Sequence, residues 1–171
     1  MKIAFTGASS TGKTSLAKAL HEKIARLEYI TVDARNIIDS LKHSNIDNLN
    51  QKEWLDQKNN QEKNKNFFIT DRTYIDAIAY MENRNIYDEI LLDSCLTKMR
   101  EYDFIFYLPL GRIIAFQNDG YRSKNEDENK NVDVIIQRLL NDNKIFNYRI
   151  DISDFDKSLD YVLSTIGDIN V

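Results

Sequence analysis

The chain has 171 residues, 42% of them hydrophobic, which suits one globular domain with a sizeable core. A formal charge of -4 with no basic block argues against long nucleic acid as a partner. Cys95 is the only cysteine and lies far in sequence from His21 and His43, so an internal disulfide is excluded and no zinc-ligand spacing is present. No apolar run approaches a membrane span. Met1-Lys2 leads straight into an apolar run, so no signal peptide is expected and a reducing, cytoplasmic setting is.

Lys2-Ile3-Ala4-Phe5-Thr6 reads as a buried strand. Gly7-Ala8-Ser9-Ser10-Thr11-Gly12-Lys13-Thr14 follows and fits G-x-x-x-x-G-K-[ST], the phosphate-binding loop. From Ser15 to Ile24, Leu16, Ala17, Leu20 and Ile24 fall at helical spacing. Strand, loop and helix are the setting the motif requires; the letters alone also fit a Gly/Ser-rich turn. Glu28 to Asp33 is a β-branched run ending in an acid. Ala34 to Lys42 is predicted to be helical, with Ile37, Ile38 and Leu41 on one face. Asn48 to Asn66 is polar, with Leu49, Trp54 and Leu55 as its anchors. Its lack of Gly and Pro favours an exposed helix over a linker.

The third strand is predicted over Asn66 to Asp71, again ending in an acid. Two helices follow, Tyr74 to Met81 and Ile86 to Arg100. Asp103 to Leu108 is the fourth strand, stopped by Pro109. Asn118 to Asn131 is charged, with Asp119-Gly120 as a turn signal, and a mobile segment is expected there. Val132 to Leu140 has helical periodicity. Phe146 to Ile152 is the fifth strand, and Ser153 is the expected N-cap of a closing helix to Ile166. This alternation predicts an α/β three-layer sandwich, a five-stranded parallel sheet covered on both faces, in one domain over 1–171.

In such a sheet, ligands bind beyond the carboxyl ends of the strands. Three groups fall there: the phosphate loop, Asp33-Ala34-Arg35, and Asp71-Arg72-Thr73. In the loop, Gly7 to Thr14 with Ser15 would bind the phosphates of ATP, Lys13 would reach the β- and γ-phosphates, and the Thr14 hydroxyl would ligate Mg²⁺. Asp71 reads as a second Mg²⁺ ligand or as a helix cap. Arg72 reads as a phosphate clamp or as a surface ion pair. Asp33 reads as a base toward an attacking hydroxyl or as another cap. Arg35 and Trp54 are candidates to face an acceptor, with ordinary packing the alternative for Trp54.

Taken together, Gly7 to Thr14, Asp71-Arg72-Thr73 and Asp119-Gly120-Tyr121-Arg122-Ser123 resemble the P-loop nucleoside and nucleotide kinases. The D-R-[ST] pattern is similar to that of thymidylate and deoxynucleoside kinases. The D-G-x-R-S stretch resembles the AAA-type ATPase/kinase family that includes ribosylnicotinamide kinase domains, with small bacteriophage relatives. The resemblance implies an ATP- and Mg²⁺-dependent kinase with a nucleotide-kinase-like fold. It places acceptor binding at about 34–66 and a lid at about 111–131, in which Arg122 and Lys124 would supply cations. It carries an acceptor-contacting role to Arg72 and a base to Asp33, although many relatives have Glu at the latter place. A small nucleotide or nucleoside acceptor is implied, with no long nucleic acid and no membrane, and a homodimer is left open. The expected reaction is phosphorylation of a (deoxy)nucleoside 5′-monophosphate. A nucleoside or ribosylnicotinamide-type 5′-hydroxyl, a hydroxymethylated base, and a regulatory ATPase switch are the alternatives.

Overall fold

The computed structural model describes residues 1–32, 47–111 and 126–167. The five strands are β1 (Lys2–Thr6), β2 (Glu28–Ile30), β3 (Phe68–Thr70), β4 (Phe104–Tyr107) and β5 (Tyr148–Arg149). The helices among the described residues are α1 (Lys13–Lys23), α2 (Asp47–Glu62), α3 (Tyr74–Glu82), α4 (Glu89–Met99), α5 (Glu126–Asp142) and α6 (Phe155–Ile166). All pairings are parallel and the order is β2-β3-β1-β4-β5. β1 is therefore central, and the loop that follows it opens at the middle of the carboxyl edge.

The strand sequences are apolar at both parities because helices cover both faces. Ile3, Phe5, Ile69, Phe106 and Ile150 pack against Leu16, Leu20, Leu159 and Val162 of α1 and α6. Ala4, Phe68, Ile105 and Tyr107 face the other way, onto Trp54, Ile75, Met99 and Ile136 of α2 to α5. Phe106 stacks on Phe5 at 5.4 Å and tilts against Tyr148 at 5.5 Å, so one ring joins three strands.

Several boundaries differ from the sequence expectation. α5 begins at Glu126, not Val132. Its first turn holds Glu126, Asp127 and Glu128, whose charges suit the positive end of the helix dipole although they carry no apolar period. Residues 126–131 of the expected lid are therefore helix. The rest of that segment, 112–125, and the helix expected over 34–42 lie outside the described residues. β5 is two residues long and sits at the sheet edge, and Phe146, expected within it, is exposed. The cap of α6 is Asp154 rather than Ser153: its carboxylate accepts the Lys157 N–H at 2.9 Å, the geometry of a residue one place before the first helical one. No helix among the described residues is long and apolar enough to cross a membrane.

Phe106→Ala should remove a fully buried ring held between two others and cost about 3–5 kcal/mol of stability. Urea denaturation followed by far-UV circular dichroism measures it; a loss under about 1 kcal/mol would contradict this description of the core.

Candidate functional site

The chain leaves β1 at Thr6 and turns at once. Gly7 has φ +147°, and a Cβ there would stand 2.4 Å from the Leu108 carbonyl oxygen, so no side chain fits. Ser10 and Gly12 also have positive φ, at 64° and 95°. Such changes of backbone hand turn successive N–H groups to one side, the arrangement of an anion-binding nest. Gly12 caps α1, whose first turn, with Thr14 and Ser15, adds the partial positive charge of its N-terminus.

Lys13 is buried, at 6% exposure, rather than solvated as a loop lysine is expected to be. Its ammonium folds back into the loop and donates to the Ala8 carbonyl at 2.5 Å and to Thr11 Oγ1 at 3.2 Å. Burial pulls its pKa down to about 8, against the opposing pull of the Asp76 carboxylate.

Asp71 stands just beyond β3 and receives three hydroxyls. Thr14 Oγ1 donates to Oδ2 at 2.8 Å, the Tyr29 hydroxyl to the same oxygen at 3.0 Å, and Thr31 Oγ1 to Oδ1 at 3.2 Å. Burial and the Asp71 charge both raise the Tyr29 pKa, so the phenol stays a donor. The helix-cap alternative for Asp71 does not hold, because Thr73 is the N-cap of α3. Thr14 and Asp71, paired at the rim of the nest, offer the hard oxygen donors that Mg²⁺ selects. With Lys13 and the loop backbone they form a chemically suitable set for a metal-bound nucleoside triphosphate.

Asp76, in the first turn of α3, is buried at 2% exposure. Its Oδ1 accepts from Thr6 Oγ1 at 2.7 Å and from the Gly7 N–H at 3.2 Å; its Oδ2 accepts from the Thr73 N–H at 2.8 Å. Burial raises its pKa, opposed by the Lys13 charge and by these donors. One carboxylate thus ties the start of the loop to the turn after β3. Arg72, between Asp71 and Thr73, is half-buried, and its charge is felt by Lys13 and by Tyr80.

The structure therefore brings together the phosphate loop, Thr14, Asp71 and Arg72. Trp54 is a core residue, 4% exposed, with its indole N–H on the Val32 carbonyl at 3.1 Å, which leaves it little surface for an acceptor. Asp33, Arg35, Arg122 and Lys124 lie outside the described residues. Asp76, Tyr29, Thr31 and Tyr80 were not singled out from sequence. The spacing Thr73-x-x-Asp76 before an apolar helix is a capping signal that marks Asp76. Tyr29 and Thr31, two apart on an extended chain, point to one side, but only the placement of Asp71 gives that side a meaning.

Comparison with known proteins bears on the family and the fold. A family described as an AAA domain matches residues 2–155. No curated protein matches the sequence. Among solved structures, the chain is similar to deoxyadenosine kinase from M. mycoides with dCMP and dCDP bound, at 15% identity and a TM-score of 0.69, over 99% of this chain and 100% of that one. It is similar to thymidylate kinase from Ehrlichia chaffeensis at 16% identity and a TM-score of 0.64, over 97% and 98%. It is also similar to shikimate kinase from Acinetobacter baumannii at 11% identity and a TM-score of 0.53, over 99% and 95%. The chain belongs to the AAA domain family, and it has the α/β P-loop fold found in nucleoside and nucleotide kinases.

Proposed function

We propose that this protein is an ATP-dependent phosphotransferase whose acceptor is a (deoxy)nucleoside 5′-monophosphate. The observation that carries the proposal is the convergence of Lys13, the Thr14–Asp71 pair and Arg72 on one part of the carboxyl edge. Phosphoryl transfer is mainly positioning and charge neutralisation. The loop N–H groups and Lys13 would hold the donor phosphates, and Lys13 would exchange the Ala8 carbonyl for a phosphate oxygen. Thr14 and Asp71 would hold Mg²⁺, which supplies charge neutralisation between the donor phosphates. Tyr29 and Thr31 keep the Asp71 carboxylate oriented. Arg72, with its planar fork, would clamp the acceptor phosphate, with Arg35 as a second cation on that side and Arg122 as a cation toward the transferred group. Trp54 would contribute by holding Val32, next to Asp33.

The second reading is a nucleoside acceptor, with Asp33 accepting the proton of the attacking hydroxyl. The neighbours' names divide between the two: thymidylate kinase favours the monophosphate, deoxyadenosine kinase the nucleoside. The shikimate kinase likeness supports neither, since one fold serves acceptors of unrelated chemistry. Incubating the protein with ATP, Mg²⁺ and a panel of nucleosides and monophosphates, with product mass as the readout, tests the proposal. Slow ATP hydrolysis with every acceptor untouched would point instead to a regulatory ATPase.

Lys13→Ala should abolish transfer while the protein stays folded, since the Asp76 carboxylate that loses this cation keeps its Thr6, Gly7 and Thr73 donors. Thermal melting together with turnover checks this; wild-type turnover would refute the loop's role. Asp71→Asn keeps the size but loses the charge, and the rate should fall at least about a hundredfold. Were melting temperature alone to change, the carboxylate would be structural. For a monophosphate acceptor, Arg72→Lys should cost more in kcat/KM than Asp33→Asn, because the bidentate clamp goes even though the charge stays. The reverse order would mean a hydroxyl acceptor.

A further inference from the structure

Lys58 lies outside the site just described, yet it is among the most buried side chains of the protein, at 1% exposure on α2. Its ammonium donates to Glu62 Oε1 at 2.5 Å, one helical turn on, and to Thr70 Oγ1 at 2.8 Å, the last residue of β3. The rings of Tyr74, Trp54 and Tyr102 surround it with centroids at 5.2, 5.5 and 5.9 Å. Glu62 also accepts from the Tyr74 hydroxyl at 3.1 Å and from the Tyr102 hydroxyl at 3.0 Å. This is a network of buried and partly buried polar groups in which the two charges are partnered.

Stability does not explain such a pair. Exchanging a buried ion pair for apolar groups of similar volume is often neutral or stabilising. What the ammonium does that an apolar group cannot is set a hydroxyl. An ammonium only donates, so Thr70 Oγ1 must receive with a lone pair, which leaves its single hydrogen for another acceptor. That acceptor is the Arg72 carbonyl, at 3.3 Å. The chain of contacts therefore runs from Lys58 through Thr70 to the backbone of Arg72. At the nitrogen of that same peptide unit, Asp76 holds the Thr73 N–H. The peptide unit that follows Arg72 is thus held at both its oxygen and its nitrogen.

We propose that Lys58 is a positioning residue for acceptor binding: through the Thr70 hydroxyl it fixes the Arg72 carbonyl, and with it the direction in which the Arg72 guanidinium enters the cleft. The inference rests on the reading that Arg72 clamps the acceptor. It separates the two substrates, because the donor phosphates are held by Lys13 and the loop, which Lys58 does not touch.

The test uses three variants in steady-state kinetics with ATP and the best acceptor. Lys58→Met leaves Glu62 with its two tyrosine donors and the rings in contact with an apolar chain. Thr70→Val removes only the hydroxyl and leaves the Lys58–Glu62 pair intact. Thr70→Ser restores the hydroxyl. Lys58→Met and Thr70→Val should each raise the KM for acceptor about tenfold, the scale of one lost positioning hydrogen bond, with the KM for ATP within about twofold of wild type. Thr70→Ser should return the acceptor KM to within about twofold of wild type. An unchanged acceptor KM in Thr70→Val would overturn the inference, even if Lys58→Met proved insoluble. So would equal rises in both KM values, or a loss of kcat that follows melting temperature alone, since a structural role gives those results. If wild-type protein phosphorylates no acceptor, the phosphotransferase reading falls and this inference with it, an outcome that the wild-type control reveals before any variant is measured.

Discussion

The Asp76 carboxylate is the constraint on which the rest of the site depends. It accepts from Thr6 at the end of β1, from Gly7 at the entry to the loop and from Thr73 after β3. Two neighbouring parallel strands give the same direction to their carboxyl ends but do not fix how the chain leaves each one. Asp76 fixes both exits against each other. Because the group is buried, each of its bonds is made in a medium where leaving a donor unmet is expensive. The charge has a use beyond the knot: it helps keep a cation at Lys13, whose burial otherwise favours the neutral amine.

The same logic is repeated one step outward. Asp71 is gripped by hydroxyls from Thr14, Tyr29 and Thr31, which come from α1, from β2 and from the residues after it. None of these donors carries a charge, so the carboxylate keeps its full charge for a cation while losing its freedom to rotate. Arg72 is treated in the opposite way. The peptide unit that follows it is held at both ends, through Thr70 and Asp76, and on the reading proposed above its side chain would be left to a substrate. Rigid backbone with an available head group is the economical arrangement for a clamp, since the ordering cost is met before the ligand arrives.

Much of this was legible in the sequence, for identifiable reasons. The eight residues Gly7 to Thr14 specify a backbone path, and the apolar runs before and after them specify the strand and helix that frame it. The acid at the end of the third strand was legible for the same reason, since the strand pattern places it at the edge. The start of α5 was missed because Glu126 to Asn131 has no apolar period; the signal there is electrostatic. Lys13 was expected in solvent because a lysine in a glycine-rich loop reads that way, whereas the loop closes on its own ammonium. Lys58 was invisible for a deeper reason. In a polar stretch such as Asn48 to Asn66 one lysine looks like any other, and its burial depends on Trp54, one turn back on the same helix, and on Tyr74 and Tyr102, which come from later parts of the chain.

The knot at Asp76 joins residues 70 and 69 apart in the chain. β1 itself pairs first with β3 and β4, never with the strand that follows it in sequence. Contacts of that span are slow to form, because a long loop must close before any bond compensates for it. The phosphate loop is thus complete as a string of letters very early in synthesis and complete as an object much later. A ribosome that has released the first fifty residues has released the whole motif and none of the geometry. On the reading proposed above, nucleotide affinity would accordingly be a property of the finished sheet rather than of the local fit of a glycine-rich loop.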